Sequence, residues 1–140
     1  MLEYATKIPV FRQPMEYDHV LEGDDHEKFF DAVEQRKTGR PLQYIIGRAP
    51  FHKLELYVEE GVLIPRPETE ILVEEAISAL KACGKIDANG FSSKDLKILE
   101  IGCGSGCITC SLAYEISGLQ IIATDINPKA LKITRQNAMK

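Results

Sequence analysis

The chain has 140 residues, of which 44% are hydrophobic and 27% charged, and its formal net charge is -4. That balance fits one globular domain by length and excludes a disordered chain. The longest apolar runs are a handful of residues, as at Ile121-Ile122-Ala123, so no segment spans a bilayer, and the mild acidity argues against a surface that grips nucleic acid all over.

In chain order, residues 1 to 23 carry Pro9, Pro14 and Gly23 without a clear period and read as irregular. Asp24 or Asp25 can cap a helix through about Thr38 that buries Phe29, Phe30 and Val33, with Gly39 at its stop and Arg36, Lys37 and Arg40 as a solvated basic end. Leu42 to Val58 turns strand-like: Tyr44-Ile45-Ile46 is rich in β-formers and Leu54-Glu55-Leu56-Tyr57-Val58 alternates, so a hairpin is expected, with His52 as a surface turn residue. Pro67 suits a first helical position, and Glu68 and Glu70 favour the positive end of the dipole. That helix runs through Leu72, Val73, Ala76, Ile77 and Leu80 on an apolar face and stops at Gly84. Residues 85 to 95 form a polar loop.

The remainder alternates. Leu96 to Ile101 is a strand, Gly102 to Gly106 a tight turn, Cys107 to about Ile116 a helix, and Leu119 to Thr124 a second strand. Asn127-Pro128 then provides cap and first position for a helix expected to run to Lys140. Strand, helix and strand in this order form a βαβ unit with a parallel sheet.

Gly102-Cys103-Gly104-Ser105-Gly106 lets the backbone turn sharply and approach a ligand, and Asp125 at the end of the following strand can accept the hydroxyls of a ribose. A dinucleotide fingerprint requires glycine at position 107, where Cys107 stands. Glu100, just before the turn, would repel a pyrophosphate but suits a cationic ligand. S-adenosylmethionine answers that description, with a sulfonium, an ammonium, a ribose and no phosphate.

Cys103, Cys107 and Cys110 also have the C-x3-C-x2-C spacing of a radical S-adenosylmethionine iron–sulfur site. Against it, Cys103 lies between turn glycines, Cys110 is expected to face the sheet as a small apolar residue, and Thr109 stands where that family carries an aromatic residue. Buried or free thiols in a reducing compartment are the simpler reading, with no metal site. The N-terminus resembles neither a signal peptide nor an organelle presequence, so the cytoplasm is expected, with a mitochondrial location as the alternative.

From about Arg40 to Lys140 the sequence resembles the HemK/PrmC family, protein-(glutamine-N5) methyltransferases of peptide-chain release factors. The resemblance rests on Pro41-Leu42-Gln43-Tyr44-Ile45-Ile46-Gly47, Phe51, Val62-Leu63-Ile64-Pro65-Arg66-Pro67-Glu68-Thr69-Glu70, Ile98-Leu99-Glu100-Ile101-Gly102-Cys103-Gly104-Ser105-Gly106 and Ala123-Thr124-Asp125. It implies an α/β fold, the N-terminal part of a Rossmann-like class I methyltransferase sheet. The division implied is a remnant of a helical domain over 1–40, a β-hairpin linker over 41–64 and the first part of the cofactor-binding domain over 65–140. S-adenosylmethionine is the implied cofactor. The Arg66-to-Glu70 segment would lie over it with Thr69 near it, Glu100 near its methionine end, the turn residues Gly102, Cys103, Gly104, Ser105 and Gly106 against its methionine and ribose, and Asp125 on the ribose. The implied partner is a release factor, methylated on the glutamine of its Gly-Gly-Gln loop, with neither membrane nor directly bound nucleic acid. The family's Asn-Pro-Pro-Tyr catalytic loop does not occur in these residues, so no catalytic residue is assigned and the chain reads as truncated. Alternatives are a methyltransferase acting on ribosomal protein or nucleic acid, and a non-catalytic truncated product.

Overall fold

Proline and glycine set most of the element ends in the computed structural model, which describes residues 1–140. It divides into two compact units, Met1–Gly47 and Arg48–Lys140.

The first unit is helical. Helix α1 (Leu2–Thr6) ends on Lys7 in the left-handed region at φ 61, and a 3-10 turn covers Gln13–Met15. These short elements replace the irregular stretch expected there, because an element of one turn shows no period in sequence. Helix α2 (Gly23–Lys37) matches its expected extent, but no side chain caps it, and Asp24 and Asp25 sit in its first turn, where the dipole favours them. Ala32 is its buried residue, whereas Phe30 is 47% exposed and stacks on His26. Leu42–Ile46 is not a strand but a short helix, α3, started by Pro41 and closed by Gly47 at φ 71. The Pro41 carbonyl accepts from the Tyr44 and Ile45 amides; with both ends fixed by backbone chemistry, local β-propensity is overridden.

The second unit begins with a hairpin, but its first strand is Arg48–Phe51, in the stretch expected to connect the strands, rather than Tyr44-Ile45-Ile46; the second strand lies where it was expected. Strands β1 (Arg48–Phe51) and β2 (Leu54–Tyr57) pair antiparallel, Phe51 opposite Leu54 and Arg48 opposite Tyr57. At its tip His52 has φ 52, and its side chain is only 11% exposed, lying 3.6 Å from the Glu115 carboxylate rather than projecting from the surface. Helix α4 (Glu68–Ala82) follows Pro67 and stops at Gly84, φ 65, whose amide donates to the Lys81 carbonyl. Val73 is its fully buried residue, while Leu72, expected on the apolar face, is 55% exposed.

Strand β3 (Lys97–Ile101), helix α5 (Cys107–Glu115) and strand β4 (Gln120–Thr124) form the βαβ unit, the strands pairing parallel with Ile101 opposite Thr124. Helix α6 (Pro128–Ala138) has Pro128 at its first position and the Asn127 carboxamide accepting from the Lys129 amide at 3.0 Å; it ends at Ala138 rather than running to Lys140. The fold is the partial Rossmann-like α/β arrangement expected from the sequence.

The core gathers Phe51 and Leu56 from the hairpin, Val73 from α4, and Cys110 and Leu112 from α5. Cys110 is thus the small apolar residue expected. A smaller cluster joins Val62 to Ala130 and Ile133 of α6. One face of the sheet is covered, but Leu99, Ile101 and Ile122 on the other are 59%, 82% and 62% exposed, unlike the two-sided burial usual for parallel strands. No helix is long and apolar enough to cross a membrane.

Candidate functional site

At the carboxyl ends of β3 and β4 a cavity of about 360 Å³ opens, within the roughly 300–1,000 Å³ range of small-molecule sites. Of the residues singled out in sequence, Thr69, Glu100, Gly102, Cys103, Gly104, Ser105 and Asp125 line it. Gly106 does not; it lies behind the turn against α6.

The glycine turn is built from both sides. Gly102, Gly104 and Gly106 have φ of 80, 57 and 79, a region where any Cβ is strained. A Cβ on Gly102 or Gly104 would meet nothing within 4 Å, so these two glycines leave room beside the cavity. A Cβ on Gly106 would sit 2.8 Å from Thr134 Cγ2, so the third glycine serves close packing against α6. Asp125 closes the front: its Oδ2 accepts from the Gly104 amide and its Oδ1 from the Asn127 amide, each at 2.8 Å. These backbone N–H groups hold its carboxyl below the usual aspartate range. Each oxygen retains a lone pair, so a diol can still be accepted.

Glu100 has a role the sequence did not disclose. Its Oε2 accepts from the Thr109 amide at 3.0 Å and from the Thr109 hydroxyl. Thr109 is the third residue of α5, so a side chain from the preceding strand caps that helix, filling the positive N-terminus where a phosphate would otherwise bind. Burial pushes the Glu100 carboxyl above its ordinary value, and Thr109 opposes that rise, while nearby Asp125 adds to it. Two carboxylates at one cavity and an occupied helix N-terminus disfavour a pyrophosphate and favour a cation.

Glu100 links this site to pH. Its folded pKa is raised, so its ionised form costs stability, and that cost is relieved as pH falls through the weakly acidic range above the ordinary glutamate value. Asp125, with a lowered pKa, contributes stability that is lost only at lower pH. In urea melts from about pH 7 to about pH 4, the wild type should gain on Glu100→Gln as pH falls, before the general acid loss sets in. A constant difference across that range would refute the assignment. The same variant should bind a cationic nucleoside more weakly.

The opposite wall was foreseen only in part, through Arg66 and Thr69. Gly61 to Arg66 run along it, with Cys107 and Ile108 of α5 and Ala130 of α6. That loop is held where the Asn127 carboxamide donates to the Gly61 carbonyl at 3.0 Å and Lys129 pairs with Glu59 at 2.6 Å. The motif over residues 62–70 and the cap Asn127 are the signals for this wall. Arg66 and Thr69 reach the cavity, whereas Pro67, Glu68 and Glu70 do not and fit the helix-start role. The four cysteines are free, and no group of three or more His, Cys, Asp or Glu side chains is gathered where it could hold a metal ion.

Residues 1–47 match the family described as the PrmC N-terminal domain, and residues 92–140 match a methyltransferase domain. The release factor glutamine methyltransferase of Chlorobaculum tepidum is 40% identical over 124 residues, covering 89% of this chain and 40% of that protein. Over most of its length the chain resembles the PrmC family. A second relative of that name, from Dictyoglomus turgidum, is 44% identical over 120 residues, 86% of this chain and 39% of its own. The bifunctional methyltransferase of Rickettsia prowazekii is 34% identical over 152 aligned residues, 100% of this chain and 29% of its own. The chain therefore spans about 40% of the length of the first of these relatives. The PrmC match begins at residue 1, ahead of the Arg40 boundary expected from motifs: α1 and α2 carry none of those motifs, whereas α3 lies within the run over residues 41–47.

Proposed function

We propose that the chain carries the S-adenosylmethionine-binding part of a methyltransferase that modifies the Gly-Gly-Gln glutamine of a peptide-chain release factor. The observation that carries the reading is the cavity itself: a diol acceptor at Asp125, a carboxylate at Glu100, room beside Gly102 and Gly104, and a helix N-terminus closed to phosphate. Thr69, Cys103 and Ser105 complete the set, with Gly106 acting from behind the turn. When bound, S-adenosylmethionine supplies an electrophilic methyl on a sulfonium. Asp125 takes the ribose hydroxyls, and Glu100 supplies negative charge while holding α5 in place.

A glutamine amide nitrogen is a poor nucleophile because its lone pair is delocalised into the carbonyl, so the acceptor must be held in line and hydrogen-bonded through its N–H groups. The proposed division is a helical part through residue 40, a hairpin linker to 64 and a cofactor part from 65. Free cysteines suit a reducing compartment, and we place the protein in the cytoplasm.

Two measurements test the reading. Titration calorimetry of the chain with S-adenosylmethionine should show saturable binding that ATP does not reproduce; equal binding of ATP would sink the cofactor assignment. Mass spectrometry of a release factor incubated with cofactor and the full-length enzyme that contains these residues should show one added methyl on the Gly-Gly-Gln glutamine. Methyl transfer to ribosomal protein or nucleic acid instead would reassign the acceptor.

A further inference from the structure

Helix α6 grips the glycine turn from behind, and two of its side chains do so through hydrogen bonds. Thr134 Oγ1 lies 3.1 Å from the Gly104 carbonyl and 3.3 Å from Cys103 Sγ. Its hydroxyl can donate to the carbonyl while accepting from the thiol. Asn137, 6% exposed, does more. Its Nδ2 donates to the Ser105 carbonyl at 2.9 Å and to the Tyr57 carbonyl at 3.0 Å, and its Oδ1 accepts from the Tyr57 amide at 2.8 Å. The outer edge of β2 thus finds in one carboxamide the donor and acceptor that another strand would have given it. Both N–H groups and the oxygen of the amide are matched, and Ser105, 2% exposed, is a lining residue of the cavity.

We propose that Asn137 is a positioning residue for the nucleoside site, setting the Ser105 segment of the turn and tying it to the β-hairpin. This rests on the cofactor reading above. Asn137 never touches the cavity at which Glu100 and Asp125 stand. It acts through the backbone of Ser105, so its loss leaves every cavity side chain in the sequence but releases the segment between Gly104 and Gly106. Three backbone groups would be left without partners in a buried place, a cost that favours displacement of the turn over a vacant hole.

Asn137→Asp is the informative change. It keeps shape and the acceptor for the Tyr57 amide but removes both donors and sets an anion against two carbonyls. Asn137→Ser, which retains a single donor, serves if the aspartate variant does not fold. Val73→Ala, in the core and away from the cavity, controls for lost stability alone. By calorimetry with S-adenosylmethionine, either Asn137 variant should bind roughly tenfold more weakly than wild type, with Val73→Ala within about twofold. Hydrogen exchange should show protection lost at the Tyr57 amide and at the Gly106 amide together, the latter donating to the Cys103 carbonyl at 2.7 Å in the intact turn. Faster exchange at Tyr57 with unchanged Gly106 exchange and unchanged affinity would overturn the proposal, as would an equal loss of affinity in Val73→Ala. If the wild type itself binds no S-adenosylmethionine, the cofactor reading falls, and joint or separate exchange of the two amides alone decides whether Asn137 positions the turn.

Discussion

Phe51→Ala should lower the stability of the chain by about 3–5 kcal/mol, a large fraction of the roughly 5–15 kcal/mol typical of a native protein. Phe51 is 1% exposed and sits in the main cluster with Leu56, Val73, Cys110, Leu112 and Ile116. Truncation removes an aromatic ring from a site walled by a hairpin, two helices and a loop, which cannot all close in together, so a cavity term adds to the lost transfer energy. The hairpin is also the element whose outer edge is bonded by Asn137, so loosening it should disturb the site as well as the core. Urea denaturation followed by circular dichroism measures the effect. The control is Ile126→Ala, at a residue 102% exposed, which should stay within about 0.5 kcal/mol of wild type. A loss under about 1 kcal/mol for Phe51→Ala would mean that the hairpin is not part of the core.

Gly106→Ala should be comparably damaging, for a different reason. The residue has φ 79, where a Cβ costs roughly 1–2 kcal/mol. The new methyl would lie 2.8 Å from Thr134 Cγ2, 3.0 Å from its Oγ1 and 3.1 Å from its Cα, and relieving such overlap typically costs a further 1–3 kcal/mol or so. Because one contact is with backbone, Thr134→Ser cannot fully rescue it. Gly102→Ala is the contrast. Its φ of 80 incurs the same backbone strain, but its Cβ meets nothing and lies beside the cavity. It should cost only about 1–2 kcal/mol of stability yet sharply weaken S-adenosylmethionine binding. Paired melts and titrations of the two variants check this; equal stability losses would show that the third glycine is not a packing glycine.

What the sequence disclosed depended on backbone punctuation. Gly84, the run from Gly102 to Gly106, and Asn127-Pro128 each impose a conformation that few residues allow, and the elements they bound lie within a residue or two of where they were expected. Where an element lasts barely a turn, as at Leu2–Thr6 and Leu42–Ile46, there is no period to read, and β-branched residues misled. The side of the cavity at the strand ends was legible because one motif and the end of the next strand hold it. The part of its opposite wall over residues 61–65, the capping of α5 by Glu100, and the Asn137 bridge were not. Each joins segments through side-chain bonds to distant backbone, and amphipathic patterning records which face is buried, not which carbonyl a buried amide will meet.

Three glycines in five residues would ordinarily mark a pliant loop. Here the turn is fastened at Cys103 and Gly104 by Thr134, at Ser105 by Asn137 and at Gly104 again by Asp125. On the proposed cofactor reading, the surface offered to the ligand is therefore set before capture, so little conformational entropy is left to lose. Encounter then needs no slow rearrangement, and the observed rate of complex formation should climb linearly with ligand concentration instead of levelling off.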